Sequence, residues 1–276
     1  MTDMDVSVLV SSGRPWTEIE RIAKAADEAG AYAVYIPDHF MPNTPDAAIV
    51  DGPRLEAWTL LSALSQRTSS CRLGPLVLGG TYRHPAVVAN MVAALDHVSG
   101  GRAIAGLGAG WQVNEHAAYG IDLLSVRDRS DRFEESVHVV ASLLREPRTT
   151  FDGRFFQLND APNQPAPVQD HLPVLVAGSG ERRTLRTVAK YADVWHTWGT
   201  PDSFAAKSAV LDKRCSEAGR DPASIRRATG YFVEDLSDGA ATVAPFEDVC
   251  AEFVFGDVGA PADDLIGAVS AALSGR

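Results

Sequence analysis

Runs of consecutive apolar, β-branched residues alternate along the chain with stretches in which apolar positions recur at helical spacing. The runs are "VSVLV" (6–10), "YAVYI" (32–36), "CRLGPLVLG" (71–79), "RAIAGL" (102–107), "PVLVA" (173–177), "ADVWHT" (192–197), "RRATGYFV" (226–233) and "AEFVF" (251–255). Most are apolar on successive positions, the pattern of strands in a parallel sheet covered on both faces. Between them, Ile19, Ile22, Ala23 and Ala26 form one helical face; Thr17 and Glu20 have capping-box spacing before it, and Gly30 ends it. Pro85 opens a second helix that "SGG" (99–101) closes, and Phe133, Val137, Val140 and Leu144 mark a third. Leu185, Val188, Ala189 and Ala192 share a face in "ERRTLRTVAKYAD", and "PADDLIGAVSAAL" reads as a final amphipathic helix. Eight strand–helix units over 276 residues predict an α/β fold, a (β/α)8 TIM barrel in one domain spanning 1–276. A doubly wound sheet has the same periodicity and competes with it. The Pro/Asn/Gln-rich segment 145–172 reads as an inserted loop across one end, between the fourth and fifth units. Before the last strand there is room for only a short seventh helix.

Composition narrows the classes. At 45% hydrophobic and 22% charged the chain is of ordinary globular type. A net charge of −11 argues against nucleic acid and acidic membrane as partners, so any phosphate must be met by a local site. Cys71, Cys215 and Cys250 are widely separated, a reduced, intracellular pattern without zinc-ribbon spacing. The first residues resemble no signal or transit peptide, and no run is long enough for a membrane helix. A cytoplasmic protein is expected.

Barrel chemistry gathers at the C-terminal ends of strands. Those ends carry Asp38 and His39, "GGTYRHP" (79–85), "GLGAGW" (106–111), "AGSGERR" (177–183) and "WHTWG" (195–199), rich in glycine, aromatics and histidine. This suits a large planar ligand. In "AGSGERR" a strand runs into Gly178, Ser179 and Gly180 where a helix is about to begin, so free backbone N–H groups would favour an anion, with Ser179, Arg182 and Arg183 beside them. A plain Gly/Ser cap with solvated arginines fits the spacing as well. "GLGAGW" is no dinucleotide fingerprint, since the third glycine falls on Trp111. The Asp38–His39 pair has three readings: a capped turn with a half-buried imidazole, one corner of a metal site with His84, His116 and His196, or a proton-transfer group beside a redox ligand. Against metal, neither His-x-x-x-His nor H-E-x-x-H occurs; against a serine hydrolase, G-x-S-x-G is absent.

The stretches "YIPDHF", "RLGPLVLGGTYRHPAVVANMVAALDHVSGGRAIAGLGAGWQVNEHAAYG", "DGRFFQLNDAPNQPAPVQ" and "PVLVAGSGERRTLRTVAKYADVWHTWG" resemble, in order, the luciferase-like flavin and deazaflavin oxidoreductases. The branch most similar is the one dependent on coenzyme F420. The resemblance implies a (β/α)8 barrel and an oxidoreductase that exchanges a hydride between F420 and a small organic substrate. Asp38 and His39 would lie at the reactive face of the ring, with His39 moving the proton. Leu76–Val77 is the match for a non-proline cis peptide that backs the ring, and Gly106, Gly108 and Ala109 would flank it. Glu115 and Tyr119, with Ala177, Gly178, Ser179 and Gly180, would hold the ribityl phosphate end. The alternative within the family is an FMN-dependent monooxygenase fed by a flavin reductase. Homodimers are common among such barrels.

Two departures stand out. Gly108 or Ala109 occupies the place where several deazaflavin dehydrogenases carry a glutamate, and "DHFMPN" lacks their tryptophan after Asp-His. The known sugar-phosphate and alcohol activities are therefore not expected. Met41, Trp58, Trp111 and Trp198 are candidate walls for an apolar or aromatic substrate.

Overall fold

The computed structural model describes residues 4–274. Strand β1 (Asp5–Leu9) pairs in parallel with β2 (Ala33–Ile36) on one side and with the last strand, β11 (Glu252–Gly256), on the other. The sheet continues from β11 through β10 (Arg226–Phe232), β9 (Val194–Trp198), β8 (Val174–Ala177) and β5 (Ala105–Gly108). Closure is made by a divided strand. Its first half, β3 (Arg72–Pro75), pairs with β2, and its second half, β4 (Leu78–Gly79), pairs with β5. The break falls at Leu76–Val77, whose peptide bond is cis. Counting β3 and β4 as one, eight parallel strands form a ring, and the TIM barrel rather than the doubly wound sheet is the fold.

Two-residue alternation sorts the side chains. Leu9, Ala33, Tyr35, Leu76, Ile104, Leu175, Val194, Ala228 and Val254 fill the lumen, while intervening positions such as Val8, Val34, Leu73 and Val176 face the helical shell. At the lower end, where the strands begin, the buried Glu252 carboxylate accepts from Ser7 Oγ at 2.7 Å and Tyr35 Oη at 2.9 Å. The upper end is left open.

The shell consists of α1 (Trp16–Glu28), α2 (Ala57–Ser65), α3 (Pro85–Ser99), α4 (Val113–Tyr119), α5 (Val126–Arg145), α6 (Thr184–Tyr191), α7 (Pro201–Glu217), α8 (Gly239–Val243) and α9 (Ala262–Leu273). Pro85 is at the first position of α3, and Gly100 caps its end in the left-handed conformation. The capping box expected at Thr17 is not formed. Pro15 is the cap residue of α1, its fixed φ already suits a helix start, and Thr17 lies inside the first turn. The short helix before the last strand is α8.

The inserted segment lies between α5 and β8. It contains an antiparallel hairpin, β6 (Thr149–Asp152) and β7 (Gln157–Ala161), laid along the outside of the shell. Glu135 on α5 accepts from the amides of Arg154, Phe155 and Phe156, and Asp96 on α3 accepts from those of Val168 and Gln169. These carboxylates satisfy backbone donors that the irregular chain cannot satisfy itself.

Candidate active site

At the open end, the loops that follow the strands enclose a cleft of about 570 Å3. Its walls include Leu76 and Val77 from the strand break, Gly108 and Ala109 after β5, Ala177 and Gly178 after β8, and His196 and Trp198 of β9. His39, Met41, Arg54, Trp111, Phe232 and Asp257 complete much of the rim.

Asp38 and His39 leave β2 side by side but have different partners. The buried Asp38 carboxylate accepts from Arg83 at 2.6 and 3.1 Å and from the Gly79 amide at 3.2 Å. Both of its oxygens are therefore committed to tying the end of β2 to the turn after β4. Asp38 lines the cleft beside His39, and through these bonds it positions the segment that carries His39.

His39 is held by Glu115 of α4, whose Oε1 lies 2.8 Å from Nδ1. A carboxylate only accepts, so Nδ1 carries the proton and Nε2 remains for chemistry. The ring lines the cleft with its side chain 25% exposed, edge-on to Trp111 at 5.5 Å between centroids. Glu115 is fully buried, and its carboxylate also accepts from the Phe40 amide at 2.8 Å and from the Tyr82 hydroxyl. Burial works against the charge of Glu115, but the bonds from His39, Tyr82 and Phe40 outweigh it and hold its pKa below the ordinary range. For Tyr82, burial and the adjacent Glu115 carboxylate push the hydroxyl well up, which keeps it a donor.

Glu115 was expected at the phosphate end of the cofactor. The structure instead seals it beneath His39, where its negative charge serves an imidazole and not a phosphate. Tyr119 is also displaced from that expectation: it is 56% exposed, with its ring against Phe40 at 5.6 Å, and is not part of the cleft wall. Gly106 does not reach the cleft either. A Cβ there would stand 1.9 Å from the carbonyl oxygen of Pro75, so this glycine serves the close approach of β3 and β5. Trp58 sits on α2 facing a separate groove against α3.

After β8, Gly178 hydrogen-bonds His196 through its amide at 2.9 Å and has a φ of +131°. Ser179 and Gly180 follow at the surface, and among the described residues their amides and the Ser179 hydroxyl have no partner. A three-residue turn intervenes before α6 begins at Thr184. Arg183 is drawn away to Asp131.

Sequence reasoning missed the scaffold beneath these groups. Gln112 and Asn114 donate to the carbonyls of Met41, Pro42 and Ala48, stapling the loop after β2 over the cleft. His116 donates from Nδ1 to the Gln112 carbonyl at 2.6 Å, and its Nε2 accepts from Thr81 at 2.7 Å. The legible signal was "QVNEH", four polar residues at the cap and in the first turn of one short helix that the structure buries together. His196, named in the sequence only as a corner of a metal site, is 1% exposed at the cleft floor; among the described residues its Nε2 lacks a partner, no cluster that could hold a metal forms, and burial lowers its pKa to about 3.

The barrel with this site belongs to the luciferase-like monooxygenase family, whose model matches residues 2–259. An F420-dependent hydroxymycolic acid dehydrogenase of Mycobacterium tuberculosis is 30% identical over 226 residues, covering 80% of this chain and 60% of that protein. An F420-dependent glucose-6-phosphate dehydrogenase of Kineococcus radiotolerans is 37% identical over 171 residues, covering 62% and 48%. The chain thus spans about half to three-fifths of these two relatives. An F420-dependent secondary alcohol dehydrogenase, solved with an F420–acetone adduct, superposes with a TM-score of 0.85 at 19% identity, covering 97% of both chains.

Proposed function

We propose that the protein is an oxidoreductase that exchanges a hydride between coenzyme F420 and a small organic substrate, with His39 carrying the accompanying proton. The observation that carries this reading is the His39–Glu115 pair: a buried, ionised carboxylate fixing the tautomer of an imidazole at the cleft wall. The F420-dependent activities of the two relatives support the choice of cofactor.

The residues present fit such a group. Leu76, Val77, Gly108, Ala109 and Ala177 give a low apolar wall for a ring, and the cleft volume of about 570 Å3 is that of a ligand site. The unpartnered amides at Ser179 and Gly180 would hold a phosphate, with Gly178 giving close backbone approach. When bound, the deazaflavin supplies or accepts the hydride. His39 then gives or takes a proton at Nε2, Glu115 offsets the charge that appears on the ring, and Trp111 shields one edge from water.

Residues 1–276 are read as one domain of a cytoplasmic enzyme; no described helix is long and apolar enough to cross a membrane. A homodimer follows from the family resemblance alone, and a reductase partner is needed only in the FMN reading. The test is turnover of F420 in the presence and absence of oxygen across a panel of alcohols and carbonyls. Oxygen-independent change in deazaflavin absorbance, lost in His39→Ala, is expected. Turnover that requires oxygen and reduced FMN would replace this reading with the monooxygenase.

A further inference from the structure

Two arginines that reach carboxylates lining the cleft are neutralised. Arg83 is bound to Asp38 and Glu56, and Arg14 is bound to Asp257 and Glu18. Arg54 differs. It lines the cleft, and its one hydrogen bond is from Nη1 to the carbonyl of its neighbour Pro53, at 3.0 Å. Among the described residues it has no carboxylate partner, although acidic residues outnumber basic ones by 36 to 25 in this chain. We propose that Arg54 is the receptor for an anionic group on the substrate, so that the enzyme acts on a small carbonyl or alcohol bearing a carboxylate or a comparable anion. This rests on the reading of the cleft as a redox site.

The placement of Arg54 is built. The Leu55 amide donates to the Ser12 carbonyl at 2.9 Å, pinning this stretch to the loop after β1. Its guanidinium lies against Gly13, where a Cβ would come 2.0 Å from Nη1. The missing side chain at Gly13 therefore makes room for the arginine head. The Gln112 and Asn114 staples fix the rest of the same loop. Arg54 is thus held ready without a protein counter-ion, the state in which an arginine fork best receives a carboxylate.

Topology separates this cation from the anion-binding amides already assigned to the cofactor. Arg54 packs on the loop after β1, whereas Ser179 and Gly180 follow β8, four strands away in either direction around the ring. The two anion sites lie on opposite sides of the barrel mouth. His39, from the neighbouring strand β2, is on Arg54's side, and the cleft walls near both include Met41 and Trp111. A substrate held by its acid group at Arg54 would present its apolar body to these walls and its reacting carbon towards the wall at Leu76 and Val77.

The test uses benzoate and benzamide, matched in shape and different in charge, titrated into the purified protein by tryptophan quenching, with F420 titrated separately. Benzoate is expected to bind wild type more tightly than benzamide. Arg54→Gln should weaken benzoate by about tenfold to a hundredfold, the worth of a charge-assisted pair, with benzamide and F420 unchanged. Arg54→Lys should recover part of the loss, and Gly13→Ala, which displaces the guanidinium, should mimic it. Equal binding of the two probes to wild type, or no effect of Arg54→Gln on benzoate, overturns the proposal. So does an equal loss of F420 affinity, which would assign Arg54 to the acidic tail of the cofactor. Failure of F420 to bind wild type would sink the functional reading, and the benzoate result would still decide whether Arg54 receives an anion.

Discussion

Replacing Glu115 tests the centre of the site. Its carboxylate accepts from His39 Nδ1, the Phe40 amide and the Tyr82 hydroxyl with no solvent exposure. Each charge-assisted bond is worth about 1.5–3 kcal/mol, and a neutral one about 0.5–1.5 kcal/mol. Glu115→Gln keeps the shape but leaves at most two neutral bonds and turns an amide N–H towards a donor, a net loss of roughly 2–4 kcal/mol. Glu115→Ala orphans the Phe40 amide and the Tyr82 hydroxyl at about 1–3 kcal/mol each. Against a total stability of about 5–15 kcal/mol, either loss is large. The pH dependence has a definite sign. The folded pKa of Glu115 lies below its ordinary value of 4.5, so its contribution is complete above that value and fades as pH falls through the folded one. Urea unfolding of wild type and Glu115→Gln should show the full difference at pH 7 and a shrinking one on acidification below the ordinary value. Equal stability at pH 7, or a gap that widens in acid, would refute the buried, ionised carboxylate.

Three further outcomes follow from the same geometry. Arg83→Met strips Asp38 of its bidentate partner and leaves a buried charge, so chemical denaturation should show a loss of about 3–5 kcal/mol; a change within experimental scatter would mean that the pair does not hold β2. His196, whose pKa burial lowers to about 3, should show imidazole NMR resonances that do not titrate between pH 5 and 8, and movement in that range would contradict its burial. Gly106→Ala drives a Cβ into the Pro75 carbonyl and should cost at least about 1–3 kcal/mol or abolish folding, whereas a stable variant with native melting would show that β3 and β5 can separate.

The eight barrel strands were legible because consecutive apolar residues are what a doubly covered parallel strand requires, and each predicted run overlaps an observed strand or, at 71–79, the two halves of one. Pro85 and Gly100 marked α3 for reasons local to the backbone. The hairpin at 149–161 was not legible: its strands are short and polar, and its amides are satisfied by Glu135, which no local pattern reveals. The same limit governs the site. His39 stood out as a histidine at a strand end, but Asp38 beside it is engaged by Arg83, whereas the carboxylate that serves the imidazole is 76 residues further along. Adjacent residues need not share partners, because successive residues leaving a strand point in different directions. Arg54 and His196 carry meaning through the partners they lack, and that is visible only once the chain is folded.

The most direct measurement of the central claim is a paired titration of wild type and His39→Ala with F420 and with FMN, reading quenching of Trp111 and Trp198 at the cleft wall. Tighter binding of F420 than of FMN, retained in His39→Ala while turnover is lost, is the predicted result. Preference for FMN, or no binding of either, would contradict it.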